Sequence, residues 1–213
     1  MKTIKIQDDL LQFNNYFEPV NLSFNQFLLS GSTPLLVHTG TYMNTQALLP
    51  QLQQALGGRE PAYIFISHFE SDECGGLSLL LQHYPDVKPV CSEVTARQLS
   101  GFGITNDALI QTPGQLLQTQ DCQFEFIAYP SEMHLWEGLL LFERKRSVLF
   151  SSDLFMQFGK VENSTMTSSW KEQIAGITLE KIPSPTALKK LQNTLSGLSV
   201  SLIAPGHGTC IKL

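Results

Sequence analysis

The sequence predicts an α/β fold built as one domain over residues 1–213, and three observations carry that expectation. Short apolar runs of strand length recur along the chain, segments with helical spacing lie between several of them, and 213 residues with 42% in the large apolar set can bury one large core. No internal repeat, low-complexity tract or interdomain linker divides the chain.

The apolar runs at residues 27–29, 35–37, 63–66, 124–127, 139–142, 148–150 and 200–203 read as strands. Residues 45–56 carry Leu48, Leu49, Leu52 and Leu56 on one side of a helix, and residues 77–84, 94–99 and 186–195 repeat helical spacing. Glu143-Arg144-Lys145-Arg146-Ser147 separates two adjacent strands and reads as an exposed hairpin connection whose basic cluster is a solvated turn. Residues 157–185 are polar and weakly periodic, as in a loop with a short helix at 170–174.

A formal charge of −5 argues against binding to nucleic acid, which selects for clustered Lys and Arg. No apolar run approaches the ~20 residues of a membrane span, and the opening MKTIKIQDDL places acids where a secretion signal is apolar. A soluble cytoplasmic protein is expected. Cys74, Cys91, Cys122 and Cys210 form no CxxC pair and are expected as reduced thiols, Cys74, Cys91 and Cys122 as buried small hydrophobes.

The chemistry concentrates after the run at 63–66, in Ser67-His68-Phe69-Glu70-Ser71-Asp72-Glu73-Cys74-Gly75-Gly76. Three crowded carboxylates and a histidine repel unless protonated or bound to cations, and divalent metals are the common answer to such a cluster. An extended or looping backbone would present His68 and Glu70 to one metal and turn the later residues toward a second. The bland reading is a solvated acidic turn before a helix. His134, Asp153 and His207 weigh against it, because each stands beyond the end of an apolar run, where sheets of α/β type place binding sites. His83, before Tyr84-Pro85, reads instead as a helix-terminus residue.

The segments Pro34-Leu35-Leu36-Val37-His38-Thr39-Gly40, SHFESDECGG, Met133-His134-Leu135-Trp136-Glu137-Gly138, Phe150-Ser151-Ser152-Asp153 and Ala204-Pro205-Gly206-His207-Gly208 together resemble the metallo-β-lactamase superfamily. Within it they are most similar to the diiron branch of flavodiiron and oxygen-binding diiron proteins. The resemblance implies an αββα sandwich, two mixed sheets flanked by helices. Hydrolases of the superfamily carry HxHxDH where the diiron branch carries HxExDH, and this chain reads HxExDE. Glu70 tilts the reading toward iron, since carboxylate in place of imidazole suits a harder cation. Glu73 departs from both patterns, so it either ligates as a carboxylate or leaves one metal weakly held. His38 departs too, standing where the superfamily has an Asp that supports the metal loop; a supporting role is favoured over ligation.

Carried over position by position, the resemblance puts His68, Glu70 and His134 on a first iron, Asp72, Glu73 and His207 on a second, and Asp153 between them. Trp136 and Tyr129 flank His134 and could line the pocket, although as large aromatics they read first as core residues. The implied ligand is dioxygen or nitric oxide, bound, reduced or sensed. Four carboxylates against two Fe(II) ions leave no charge to attract an anion and no penalty for a neutral diatomic. The chain would hold no flavin of its own, take electrons from a separate redox protein, and pair as a homodimer. Two alternatives remain open: a hydrolase in which two zinc or manganese ions activate water, and a binding module that has lost metal through Glu73.

Overall fold

The computed structural model describes residues 1–104, 107–131 and 136–213. One sheet runs in sequence order through β1 (Lys2–Gln7), β2 (Leu10–Phe17), β3 (Leu22–Leu29), β4 (Leu35–Val37), β5 (Tyr63–Phe65), β6 (Lys88–Cys91) and β7 (Leu109–Ile110). The other comprises β8 (Leu116–Gln118), β9 (Gln123–Ser131), β10 (Trp136–Glu143), β11 (Val148–Ser152), β12 (Thr165–Thr167), β13 (Leu202–Pro205) and β14 (Cys210–Lys212), in the order β12-β14-β13-β11-β10-β9-β8. Helices α1 (Tyr42–Leu56), α2 (Ser71–Cys74), α3 (Leu77–His83), α4 (Glu93–Gly101), α5 (Trp170–Ala175) and α6 (Pro185–Ser196) cover the outer faces.

The layering follows from strand alternation. Phe27, Leu29, Leu35, Val37 and Phe65 turn inward to meet Phe124, Phe126, Leu139, Leu141 and Phe150 of the other sheet. Their neighbours Leu28, Leu36 and Ile64 turn outward onto Leu48, Leu52, Leu77 and Leu80 of α1 and α3. Across the molecule, Ile127, Leu140, Leu149 and Ile203 pack beneath Leu191 and Leu195 of α6. This is the expected αββα sandwich of two mixed sheets.

Parallel pairing is what gathers the site. β4, β5, β6 and β7 run parallel with helical crossovers, and β11 runs parallel to β13. Their carboxyl ends share one rim, and His38, His68, Asp153 and His207 follow β4, β5, β11 and β13 there.

Several elements differ from the sequence reading. The run at 27–29 is the end of a longer β3, paired with β2 in an opening meander that the sequence reading did not separate. β6 was missed because Pro89 argues against a strand, and the strand expected at 200–203 begins two residues later, after Ser201 has bonded back to Ser147. The connection after β10 is the expected turn, exposed at Arg144 and Lys145, but Glu143 and Arg146 depart from that reading. Glu143 is fully buried and accepts the amides of Gln123, Lys145 and Arg146 at 2.9, 3.3 and 2.6 Å. Arg146 in turn clamps Asp9 through Nε at 2.9 Å and comes within 3.4 Å of Glu143. Arg146 therefore ties the turn to the β1–β2 connection, while Arg144 and Lys145 face water.

Candidate metal centre

The ligand segment is anchored before it turns. Ser67 donates its hydroxyl to the Leu139 carbonyl at 2.7 Å and accepts the Leu139 amide at 2.9 Å, which joins the two sheets beside His68. Glu70 is extended (φ −140°, ψ 162°), as expected for the His68–Glu70 pair, and precedes α2, a single helical turn that carries Asp72 and Glu73. That turn stacks Asp72 and Glu73 toward the rim. It is held from below, where the Thr39 amide donates to the Glu73 carbonyl at 2.8 Å and the Gly76 amide to the Gly40 carbonyl at 3.0 Å. A Cβ on Gly76 would fall 1.6 Å from Thr45 Oγ1, so only glycine lets α2 and α3 lie this close to the start of α1.

Six of the seven residues singled out in the sequence converge, and the seventh, His134, lies outside the described residues, as does the side chain of Trp136. His68 Nε2 is 3.1 Å from Glu70 Oε2, 3.4 Å from Asp153 Oδ2 and 4.0 Å from Glu73 Oε2. His207 Nε2 is 3.2 Å from Asp72 Oδ2 and 3.1 Å from Asp153 Oδ1. Asp153 thus reaches both imidazoles through different oxygens. Two groups could each hold a metal ion, His68 with Glu70 and Glu73, and Asp72 with Glu73 and His207. Glu73 belongs to both, whereas the sequence reading placed it with the second alone.

Burial makes this crowding costly without cations. His68 and Glu73 are each only 1% exposed, and Glu73 Oε2 has no hydrogen-bond partner among the described residues. Burial, and then the charges of Asp153 and Asp72, raise the proton affinity of Glu73 well above that of an ordinary carboxyl. Burial would lower the pKa of His207, yet hydrogen bonds to Asp153 and Asp72 outweigh it and lift the value to about 10. The same bond and charge overcome burial at Asp72 and hold it at about 2. Buried carboxylates forced to share protons with an imidazole, and one oxygen left without a donor, are the features that two divalent cations would satisfy.

The His207 loop is carried by the opposite sheet. Asn25 on β3 accepts the side-chain amides of Gln12 and Asn14, each at 2.7 Å, and donates to the carbonyls of Pro205 and Gly208 at 2.9 and 2.8 Å. His207 Nδ1 donates to the Ser23 carbonyl at 3.0 Å, which frees Nε2 for a metal. Phe24 stands edge-on to the His207 ring with centroids 5.1 Å apart. The sequence reading missed this support. Its signal was present, since Gln12, Asn14, Asn25 and Gln26 are buried amides in strands whose neighbours are apolar.

The remaining expectations can now be placed. His38 is buried with Nε2 unpartnered, in left-handed backbone (φ 62°), and burial followed by the charge of His68 lowers its pKa to about 3. His38 belongs to neither donor group. Tyr129 is buried and edge-on to His68 with centroids 6.1 Å apart, and Gly138 passes beneath, where a Cβ would lie 3.4 Å from His68 Cβ. All four cysteines are free and buried, and Cys74 Sγ donates to the Glu70 carbonyl at 3.1 Å. His83 is exposed at the end of α3, its Nδ1 3.0 Å from the Leu79 carbonyl. No helix among the described residues is long and apolar enough to cross a membrane.

Comparison with known proteins agrees with the fold. The chain is 24% identical over 198 residues to an anaerobic nitric oxide reductase flavorubredoxin of Vibrio vulnificus, covering 87% of this chain and 40% of that protein. A variant of the flavo di-iron protein of Thermotoga maritima superposes with a TM-score of 0.81 at 21% identity, over 99% of this chain and 57% of the other. The rubredoxin oxygen:oxidoreductase of Desulfovibrio gigas gives 0.79 at 19% identity over 99% and 57%. The chain therefore spans about two fifths of the first of these relatives and matches the β-lactamase-like core of flavodiiron proteins. Residues 22–208 match the family described as ODP family beta lactamase, and the chain belongs to that family.

Proposed function

We propose that this chain is a single metal-binding domain that holds two iron ions and binds dioxygen or nitric oxide. His68, Glu70 and His134 hold the first iron, Asp72, Glu73 and His207 the second, and Asp153 spans them. The observation that carries the reading is the placement of Asp153, whose two oxygens approach His68 and His207 separately. Glu70 adds the preference for a hard, redox-active cation over zinc. When bound, two Fe(II) ions supply the electrons and open positions that a diatomic ligand requires.

The protein's own part is preorganisation. The Ser23 carbonyl fixes the His207 ring, Phe24 and Tyr129 shield the two imidazoles, and Glu73 offers a buried oxygen that nothing else occupies. The names of the relatives, a nitric oxide reductase and an oxygen oxidoreductase, supply the two candidate ligands. Electrons reach the site from a separate redox protein, and two copies of the chain pair in the cytoplasm.

Elemental analysis of protein purified without oxygen, with an optical spectrum before and after admitting air, tests the reading. About two irons per chain and a new charge-transfer band on exposure support it. Two zinc ions and a silent spectrum would transfer the site to hydrolysis, and one metal or none would make Glu73 the mark of a depleted module.

A further inference from the structure

We propose that a cavity beside the His68 half of the centre receives the carboxylate of a small organic acid. The cavity, of about 320 Å³, lies where the first turn of α4, the segment after β7, the facing ends of β9 and β10, and α6 meet. Its volume is at the small end of ligand pockets, and the inference does not depend on which metal the centre holds. Tyr129 forms one wall, and the same ring stands edge-on to His68 with centroids 6.1 Å apart.

Hydrogen-bond donors are left over around this space from three independent elements. Gln111 borders it and is only 8% exposed, yet its side-chain amide has no hydrogen bond among the described residues. A buried carboxamide is costly until a partner completes it. The second donor is backbone. Leu139 turns both its amide and its carbonyl to Ser67, so it bonds through neither to Ala128, the residue opposite it on β9. Two residues earlier, Phe126 faces the outer edge of β9, where its amide meets the Gln115 carbonyl and its carbonyl the Gly114 amide. Strand alternation turns Ala128 to that same edge, and its amide meets no acceptor there among the described residues. The third donor set is the start of α4, a helix of nine residues. Ser92 accepts the amides of Thr95 and Ala96 at 3.2 and 3.0 Å, which leaves those of Glu93 and Val94 at the positive end of the helix.

Charge and shape select the ligand. Lys190 of α6 adds an ammonium to the cavity, and Ala128, Pro130 and Leu139 supply an apolar wall. Glu93, the one carboxylate among the described lining residues, is directed at Arg97 at 2.6 Å. Convergent N–H groups with one cation fit an anion, and the apolar wall beside them fits a short hydrocarbon chain attached to it.

Chemical-shift titration of the full chain with propionate, at constant ionic strength and without added metal, reads the site through the side-chain amide of Gln111 and the backbone amide of Ala128. Both should shift with a dissociation constant of about 1–10 mM, and propionamide, which has the same shape without the charge, should move neither. Lys190→Gln and Gln111→Leu, followed at Ala128, should each keep the folded spectrum and weaken propionate binding about three- to tenfold. No shift up to about 100 mM propionate, an equal response to propionamide, or unchanged affinity in both variants would overturn the proposal. So would shifts confined to the surroundings of His68 and His207, which would place the anion in the metal centre. Failure of the chain to take up iron would remove the dinuclear reading and leave this titration unaffected.

Discussion

Asp153 places its Oδ1 3.1 Å from Nε2 of His207, although the two side chains come from different, parallel strands. With its second oxygen 3.4 Å from His68 Nε2, the carboxylate approaches both imidazoles. Asp153→Asn keeps the volume and replaces one oxygen by a donor. Elemental analysis should show metal falling from two ions per chain to one or none, while far-ultraviolet circular dichroism remains that of the wild type. Retention of both ions would remove Asp153 from its bridging role.

Glu73 sets stability against metal. Its carboxyl is buried with one oxygen unpartnered, so Glu73→Gln removes a group whose ionisation opposes folding. The metal-free variant should melt about 2–4 °C higher at neutral pH, the equivalent of about 1 kcal/mol in a chain of this size. Its affinity for the second cation should fall by at least about tenfold. Thermal unfolding with and without Fe(II) would reveal the opposed signs.

The metal-free protein should weaken as pH rises. His207 is raised to about 10 in the folded state, so its contribution is complete below about 6.5 and is lost as pH climbs toward 10. Glu73, whose proton affinity is raised, acts in the same direction. Asp72, lowered to about 2, contributes above about 3.8 and fails only as pH falls through 2. Melting temperature should therefore decline between pH 7 and 10. Cation binding should release protons, seen as dependence of the calorimetric heat on the ionisation enthalpy of the buffer. A flat profile and no proton release would show that the cluster is not protonated in this way.

The buried Glu143 belongs to the fold and not to the centre. Glu143→Ala would strand three backbone amides, and Arg146→Ala would leave Asp9 and Glu143 without their cation. Each should cost about 2–4 kcal/mol in urea unfolding. Metal stoichiometry should be unchanged in the surviving folded protein, because the turn begins β11 whereas Asp153 follows its end.

The sequence disclosed the layers and most of the centre for one physical reason. Candidate ligands that follow apolar runs, such as His68, Asp153 and His207, are displayed by strand geometry that periodicity already reports. What stayed hidden depends on distant closure. Nothing near Arg146 announces Asp9, which lies 137 residues away, and nothing near Asn25 announces the carbonyl of Gly208. The single turn of α2 is too short for a period to show. Left-handed backbone at His38 and Ser152 is imposed by contacts across the rim, so residue type gave no warning of it. In the 143–147 turn the expected exposure holds at Arg144 and Lys145 and fails at Glu143 and Arg146, whose pairing is not written in the local charge pattern.

The bonds from Asn25 to the 205–208 loop also order events in time. They join positions 183 residues apart in the chain, so they can form only after the 205–208 loop has left the ribosome. Closing so distant a contact is slow compared with forming the opening meander or the first crossover helices. His207 is consequently the last donor to arrive, and the earlier ones wait in an open rim. The proposed centre is thus completed by the last of its donors to be synthesised, which would make cation uptake wait for the loop that carries His207.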